Sequence, residues 1–286
     1  PNSAKKLFAS KQRFEFSKEI SELHTTPSYL EFEAFHYLTE NKIIPAESFI
    51  VNGQTGDFIS GGHCPEILIK KAAPTFDDFL NAIINKHASL WLNLLTDENR
   101  QRIKNSILTT LPDLDLTETN PIYWLSQYER WEWQERQCKI VVSGQRLYDF
   151  FGLDWDLPLW DAELMDFWAG VPYPLKFNQK LYINYLQAYY PSLFSDLRPK
   201  PDPWVKQFKW IPFTAKIYGL IAGKKRKQHY YKRMYYYGTD YNQYALVGRA
   251  FYLAHYKNIR NVVSLFAKTT LDELGINDTM TNQEAP

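Results

Sequence analysis

Apolar residues along this chain recur mostly at helical spacing. Over residues 76–94, 96–110, 119–150, 161–170, 177–190, 202–222 and 240–268 they fall at three- and four-residue intervals between prolines or glycines, the pattern of helices with one buried face. A further helix is predicted to open at Thr26-Pro27-Ser28. Ser28 is an N-cap residue, Glu31 stands three positions on as in a capping box, and Leu30, Ala34, Tyr37 and Leu38 share a face up to about Asn41. Residues 43–47 then turn the chain into a short apolar run, Ser48 to Val51, that predicts a strand over 48–52. After it strand signals are rare. Residues 1–24 are charged and interrupted by Phe8, Phe14 and Phe16, and residues 277–286 have the polar composition of a frayed end. The breaks at 112–115 and 196–203 are too short for flexible tethers, and no internal repeat is visible.

The predicted strand delivers the backbone into Asn52-Gly53-Gln54-Thr55-Gly56-Asp57-Phe58-Ile59-Ser60-Gly61-Gly62-His63, a glycine-rich turn with one fixed charge, Asp57. Glycines permit close backbone approach, and a carboxylate beside uncovered N–H groups can hold Mg²⁺ against a polyphosphate. The turn follows a strand's C-terminal end, where open α/β sheets bind ligands.

Laid without gaps on the second signature of the asparagine synthetase-like ATP pyrophosphatases, Gly-(Asp/Glu)-Gly-x-Asp-Glu-x-Phe-Gly-Gly-Tyr, this segment matches at Gly53, Asp57, Gly61 and Gly62. Gln54, Thr55, Phe58 and His63 stand where the family has an acid, glycine, glutamate and tyrosine. The variant resembles that of the divergent asparagine synthase-related proteins. A second segment, Leu157 to Phe167, is similar to the family's Pro-Phe-Leu-Asp segment, with Asp161 as the N-cap of the helix it opens. Leu175-Lys176 and the stretch from Leu181 to Pro191 continue the likeness, so order and spacing agree over residues 43–191.

The resemblance implies an α-rich α/β fold: a partial parallel nucleotide-binding layer of the adenine nucleotide alpha hydrolase type over residues 1–70, followed by a helical bundle over 71–276 of the same synthetase domain. It implies ATP and Mg²⁺ as cofactors, a small-molecule carboxylate activated by adenylation with release of pyrophosphate, and a nitrogen donor that forms the amide, supplied by a glutaminase domain or partner. On this resemblance Asp57 is the Mg²⁺ or pyrophosphate-side ligand, and Gly53, Gln54, Thr55 and Gly56, with Gly61 and Gly62, give backbone contacts to the nucleotide. His63 occupies the tyrosine position, where it would donate to phosphate or substrate; a loop histidine satisfied within the chain is the equal alternative. Lys200 in Arg198-Pro199-Lys200 is the candidate catalytic lysine, with Lys206 and Lys209 as competitors. The family's first signature, Ser-Gly-Gly-x-Asp-Ser, is absent; Ser60-Gly61-Gly62 mimics only its first half. The phosphate loop is therefore expected before Pro1, in a longer protein.

Bulk composition narrows the rest. The 286 residues carry 33 Lys plus Arg against 32 Asp plus Glu, a net charge of +1, so no global field recruits nucleic acid or membrane and any polyanion site must be local. Cys64 and Cys138 fit neither a disulfide framework nor a zinc site, and a cytoplasmic location is expected. No apolar run is long enough for a membrane span. Glu132, Glu135 and Arg136 share a helical face, which predicts a solvated ion-pair ladder or, alternatively, a polar cluster that faces the site. One segment remains outside this scheme. Residues 224–237 place six cations among five tyrosines beside the apolar run 211–222. This supports an alternative assignment, a noncatalytic helical binding protein that uses the segment on a polyanion or a membrane surface.

Overall fold

The computed structural model describes residues 10–20, 29–194, 210–238 and 247–276. Ser28, Lys200, Lys206, Lys209 and the 277–286 tail lie outside the described residues. The principal elements, in chain order, are α1 (Lys11–Ile20), α2 (Tyr29–Glu40), β1 (Phe49–Val51), α3 (Gly56–Ile59), α4 (Glu66–Lys70), α5 (Phe76–His87), α6 (Asp97–Thr110), α7 (Pro121–Glu132), a π-helical stretch (Trp133–Val141), α8 (Arg146–Phe150), β2 (Asp154–Asp156), α9 (Ala162–Ala169), α10 (Tyr173–Lys176), α11 (Lys180–Tyr189), α12 (Trp210–Ala222), α13 (Lys224–Gly238), α14 (Arg249–His255) and α15 (Val262–Glu273). The described residues are thus α-rich, with a two-stranded parallel sheet.

Two compact units share the chain: Ile20–Ala88 with Thr96–Arg198, and Pro1–Glu19 with Ser89–Leu95 and Pro199–Pro286. In the first, local sequence signals set the helix starts. Thr75 N–H donates to Asp78 Oδ2 at 2.8 Å before α5, Thr96 Oγ1 accepts from Asn99 N–H before α6, and Asn120 with Pro121 opens α7. The apolar faces of these helices meet in a core of Leu68, Phe79, Ile83, Ile84, Ile107, Leu111, Trp124 and Leu125, all buried, with the Phe79 and Trp124 rings 5.2 Å apart. A second aromatic cluster joins α2 to α8 through Phe32, Phe35, Tyr148 and Phe151.

The strand expected over 48–52 is present as β1, and its partner β2 comes from Asp154-Trp155-Asp156, the middle of a short run, Leu153 to Leu157, that alternates apolar and polar residues. Phe49, Ile50 and Val51 register with Asp154, Trp155 and Asp156, and Asn52 N–H extends the ladder to the Asp156 carbonyl at 3.0 Å. The helical stretch expected over 119–150 is present: α7 runs on through the π-helical stretch and Val142–Gly144, and a turn at Gln145 separates it from α8. The π geometry admits one more residue per turn, which re-aims the side chains that follow Glu132.

Both strands end at the glycine turn. Thr55 there has φ 77, and its hydroxyl is pinned from two sides: Trp160 Nε1–H donates to Thr55 Oγ1 at 2.9 Å, and that hydroxyl donates to Gln137 Oε1 at 3.1 Å. The direction of this chain follows from Trp160 being a donor only. Below the turn, Phe58, Ile59, Trp168 and Val171 form a core with Leu159, Leu164, Met165 and Leu181.

In the second unit, Trp91 pairs with Ile259 in an antiparallel bridge, Trp91 Nε1–H donates to the Ser264 carbonyl at 3.0 Å, and Arg13 forms a 2.8 Å ion pair with Glu273. Helices α12 and α13 form a hairpin around Gly223, whose φ of +85 suits glycine, with the Tyr218 and Tyr230 rings 5.2 Å apart.

Gly61 combines φ +91 with a position where a Cβ would overlap the Lys176 backbone carbonyl, whereas nothing approaches a Cβ at Gly53 within 4 Å. Gly61→Ala is expected to lower the unfolding free energy by about 1–3 kcal/mol in urea titration, and Gly53→Ala by well under about 1 kcal/mol.

Candidate functional site

Asp57 stands in the first turn of α3, six residues past the end of β1, and its side chain is 61% exposed. One carboxylate oxygen, Oδ1, accepts from the Phe58 N–H at 2.9 Å; the other, Oδ2, meets His63 Nε2 at 2.8 Å. His63 Nδ1 in turn is hydrogen-bonded to Glu132 Oε1. Two residues that the sequence analysis selected, Asp57 and His63, are therefore in direct contact, and the second joins them to a carboxylate at the end of α7.

Glu132 is 0% exposed. The solvated ladder expected over 132, 135 and 136 does not form: Glu135 pairs with Lys139, while Glu132 turns inward among cations. Lys86 Nζ donates to both of its oxygens at 3.0 and 3.1 Å, and Arg136 approaches Oε1 at 3.6 Å. His87 lies 3.8 Å from Oε2 and 3.2 Å from the Tyr128 hydroxyl. Lys86, His87 and Tyr128 escaped the sequence analysis. They sit on helical faces that read as ordinary amphipathic positions, and only Glu132's burial gathers them.

The charge states follow from these contacts. Burial acts to raise the Glu132 pKa, but the His63 hydrogen bond and the charges of His63 and Lys86 outweigh it, and the carboxyl is held below its ordinary value. Burial acts to lower that of His63, but hydrogen bonds to Asp57 and Glu132 outweigh it, and the imidazole is raised above 6.5. Asp57 is lowered from 3.8 to about 2, first by its His63 hydrogen bond and further by the charges of His63 and Arg136. His87 is pushed down to about 4 by burial, and Cys64 up to about 12 by the same cause, which leaves that thiol unreactive. Three cationic side chains, His63, Lys86 and Arg136, thus face two carboxylates, and the turn carries a local positive excess.

The glycines of the turn serve the chain's own packing. A Cβ at Gly56 would lie 2.8 Å from Leu159 Cδ1, and one at Gly62 would lie 2.9 Å from the Asp57 carbonyl and 3.3 Å from the Gln179 side chain. Several backbone donors are also engaged within the turn: Gln54 with Asn52 Oδ1, Gly61 with Phe58 O, and Gly62 with Asp57 O. Asn52 itself is fixed by Gln145 and Tyr148, and Gln145 also donates to Gln54 Oε1 at 2.9 Å. Gln137 Nε2 is buried and has no hydrogen-bond partner among the described residues.

Beside the turn lies a cleft of about 640 Å³, walled by Phe58, Trp133, Trp160 and Trp168, with Lys176 and Glu129 paired at 2.6 Å at its edge. Behind Gly56 and Ser60, Leu159, Phe167 and Leu181 line an apolar pocket of about 390 Å³. Both volumes are in the range of small-molecule sites.

Among the described residues no group of three or more His, Cys, Asp or Glu is arranged to hold a metal ion, so Asp57 would serve Mg²⁺ without such a group around it. An ionised carboxylate that faces solvent fits a Mg²⁺ ion that keeps most of its waters and takes its other ligands from phosphate. In comparisons with known proteins, no family model, no curated protein and no solved structure matches this chain.

The two histidines act on stability in opposite directions. Protonated His63 is favoured in the fold, so its contribution is complete below pH 6.5 and is lost as pH rises through its raised pKa. Neutral His87 is favoured, so its contribution is complete above 6.5 and is lost as pH falls toward about 4. Urea midpoints measured against pH are expected to peak near 6.5 for this cluster; His63→Gln should flatten the alkaline side and His87→Gln the acid side. Glu132→Ala, which strands its cations, is expected to cost on the order of 3 kcal/mol in the same titration.

Proposed function

We propose that the chain is the carboxylate-activating part of an ATP-dependent, amide-forming enzyme of the asparagine synthase-related type. One observation carries this reading. The two segments that hold the resemblance, 50–63 and 157–167, are far apart in sequence and meet in space: Leu159 packs on Gly56, Trp160 donates to Thr55, and the strands that precede them pair in parallel. Asp161 caps α9 by accepting from Leu164 N–H at 2.9 Å, so the second segment also has the helix-opening role that the likeness assigns to it.

In this reading Asp57 presents an ionised oxygen toward a polyphosphate-bound Mg²⁺, which when bound offsets the charge that pyrophosphate carries away. His63 fixes the orientation of that carboxylate, and Glu132 fixes His63. Lys86 and Arg136 supply the positive field that draws a polyanion to the turn. The cleft beside Phe58 takes the carboxylate substrate, whose oxygen attacks the α-phosphorus as the bond to pyrophosphate breaks. A nitrogen donor, delivered by a glutaminase domain or partner, then attacks the activated acyl carbon and AMP leaves with loss of a proton. Lys200, to which the resemblance gives charge compensation, lies outside the described residues.

Exchange of labelled pyrophosphate into ATP, measured across a panel of carboxylates in the complete protein, tests this. Asp57→Asn is expected to reduce Mg²⁺-dependent exchange by at least about 100-fold, while replacement of Lys224, Lys225, Arg226 and Lys227 by Gln leaves it unchanged. Exchange that survives Asp57→Asn contradicts the proposal.

A further inference from the structure

The α12–α13 hairpin has a surface that the proposed chemistry does not use. Trp210, Phe213, Ile217, Leu220 and Ile221 recur at helical spacing on one side of α12, and all five are exposed, Leu220 at 82% and Ile221 at 84%. The opposite side of the same helix is already occupied. Ile211 and Ala215 are buried there, Thr214 accepts from the Tyr230 hydroxyl at 3.1 Å, and Tyr218 meets the Tyr230 ring. The exposed stripe is therefore a second apolar face rather than the hairpin's own core.

Cations frame this stripe. Lys224, Lys225, Arg226 and Lys227 follow Gly223 at the tip, all exposed, and Lys216 flanks the stripe on α12. None of the five forms an ion pair with a described residue. From Trp210 to Gly238 the sequence has seven Lys or Arg and no Asp or Glu. The tip is held in shape by the chain itself: Gly223 N–H donates to the Gly219 carbonyl at 3.0 Å, Lys227 N–H donates to the Gly223 carbonyl at 3.0 Å, and the Lys227 stem lies where a Cβ on residue 219 would sit.

We propose that this hairpin docks the protein on an anionic lipid bilayer, with the α12 stripe in the headgroup–acyl boundary and the tip cations on lipid phosphates. Charge complementarity together with the aliphatic tip selects this occupant. A nucleic acid would satisfy the cations and leave Leu220 and Ile221 in water. A second copy of the hairpin would cover the apolar stripes but oppose like charges. A bilayer with anionic headgroups meets both requirements at once. Helix α12 has 13 residues, and no helix among the described residues is long and apolar enough to cross a membrane, so the hairpin lies on the surface.

Co-sedimentation of the full chain with phosphatidylcholine vesicles, with and without one-third phosphatidylserine, tests this. Binding is expected to the phosphatidylserine vesicles only and to weaken with salt. Each cation near such a surface is worth roughly fivefold in partitioning, so the Lys224→Gln, Lys225→Gln, Arg226→Gln, Lys227→Gln variant should lose at least about 100-fold. Leu220→Ser with Ile221→Ser, at exposed positions, should lose at least tenfold, with circular dichroism unchanged in both variants. Absence of vesicle binding by the unaltered chain overturns the proposal. So does binding that the charge variant loses and the Leu220, Ile221 variant keeps, which would mark a polyanion site such as a nucleic acid. The pyrophosphate exchange assay is independent of either result.

Discussion

A fully buried carboxylate, Glu132, organises the described site. Burying an unpaired carboxylate is prohibitively costly, and here Lys86, His63 and Arg136 converge on it from α5, the glycine turn and the π-helical stretch. The three elements are thereby tied at one point. His63 can bridge Glu132 to Asp57 only as a donor at both ring nitrogens, so the buried carboxylate sets the charge of the imidazole, and the imidazole sets that of the exposed carboxylate. Removal of the charge at 132 would release each of these constraints in turn.

The glycine turn takes its shape from the same economy of space. Gly56, Gly61 and Gly62 admit Leu159, the Lys176 backbone and the Gln179 side chain, so the turn is clamped between the segment that leads to α9, the end of α10 and the segment that leads to α11. Thr55 at positive φ is held there by Trp160 and Gln137, and strain at one residue is compensated by two hydrogen bonds. Such clamping gives Asp57 a fixed position while leaving its carboxylate open to solvent. A rigid support for one exposed charged group is what a site for a mobile ligand requires.

Helices were legible in the sequence because their faces repeat: Phe79, Ile83 and Trp124 announce α5 and α7 without tertiary information. The strand β1 was equally visible in Phe49-Ile50-Val51. Its partner was harder to see: Leu153 to Leu157 alternates apolar and polar residues, but the run is short and two of its three paired residues are aspartates, which are depleted in strands. The site was half legible. Asp57 and His63 stood out because glycines frame them, whereas helical spacing left Glu132 open between a solvated ladder and a cluster facing the site, and its partner His63 lies 69 positions earlier in the chain. Glycine content likewise announced close approach without saying what approaches; the neighbours are this chain's own side chains and carbonyls. The basic hairpin was visible as composition, and the structure adds that the apolar stripe beside it faces outward.

Glu132 and Asp57 together hold His63 as an imidazolium. Nitrogen NMR of the His63 ring across a pH titration tests it most directly. The account predicts that both ring nitrogens are protonated at pH 6 and that the ring titrates above 6.5, falling back toward that ordinary value in Glu132→Gln. A ring that is neutral at pH 6, or that titrates at or below 6.5 in the unaltered protein, would contradict it.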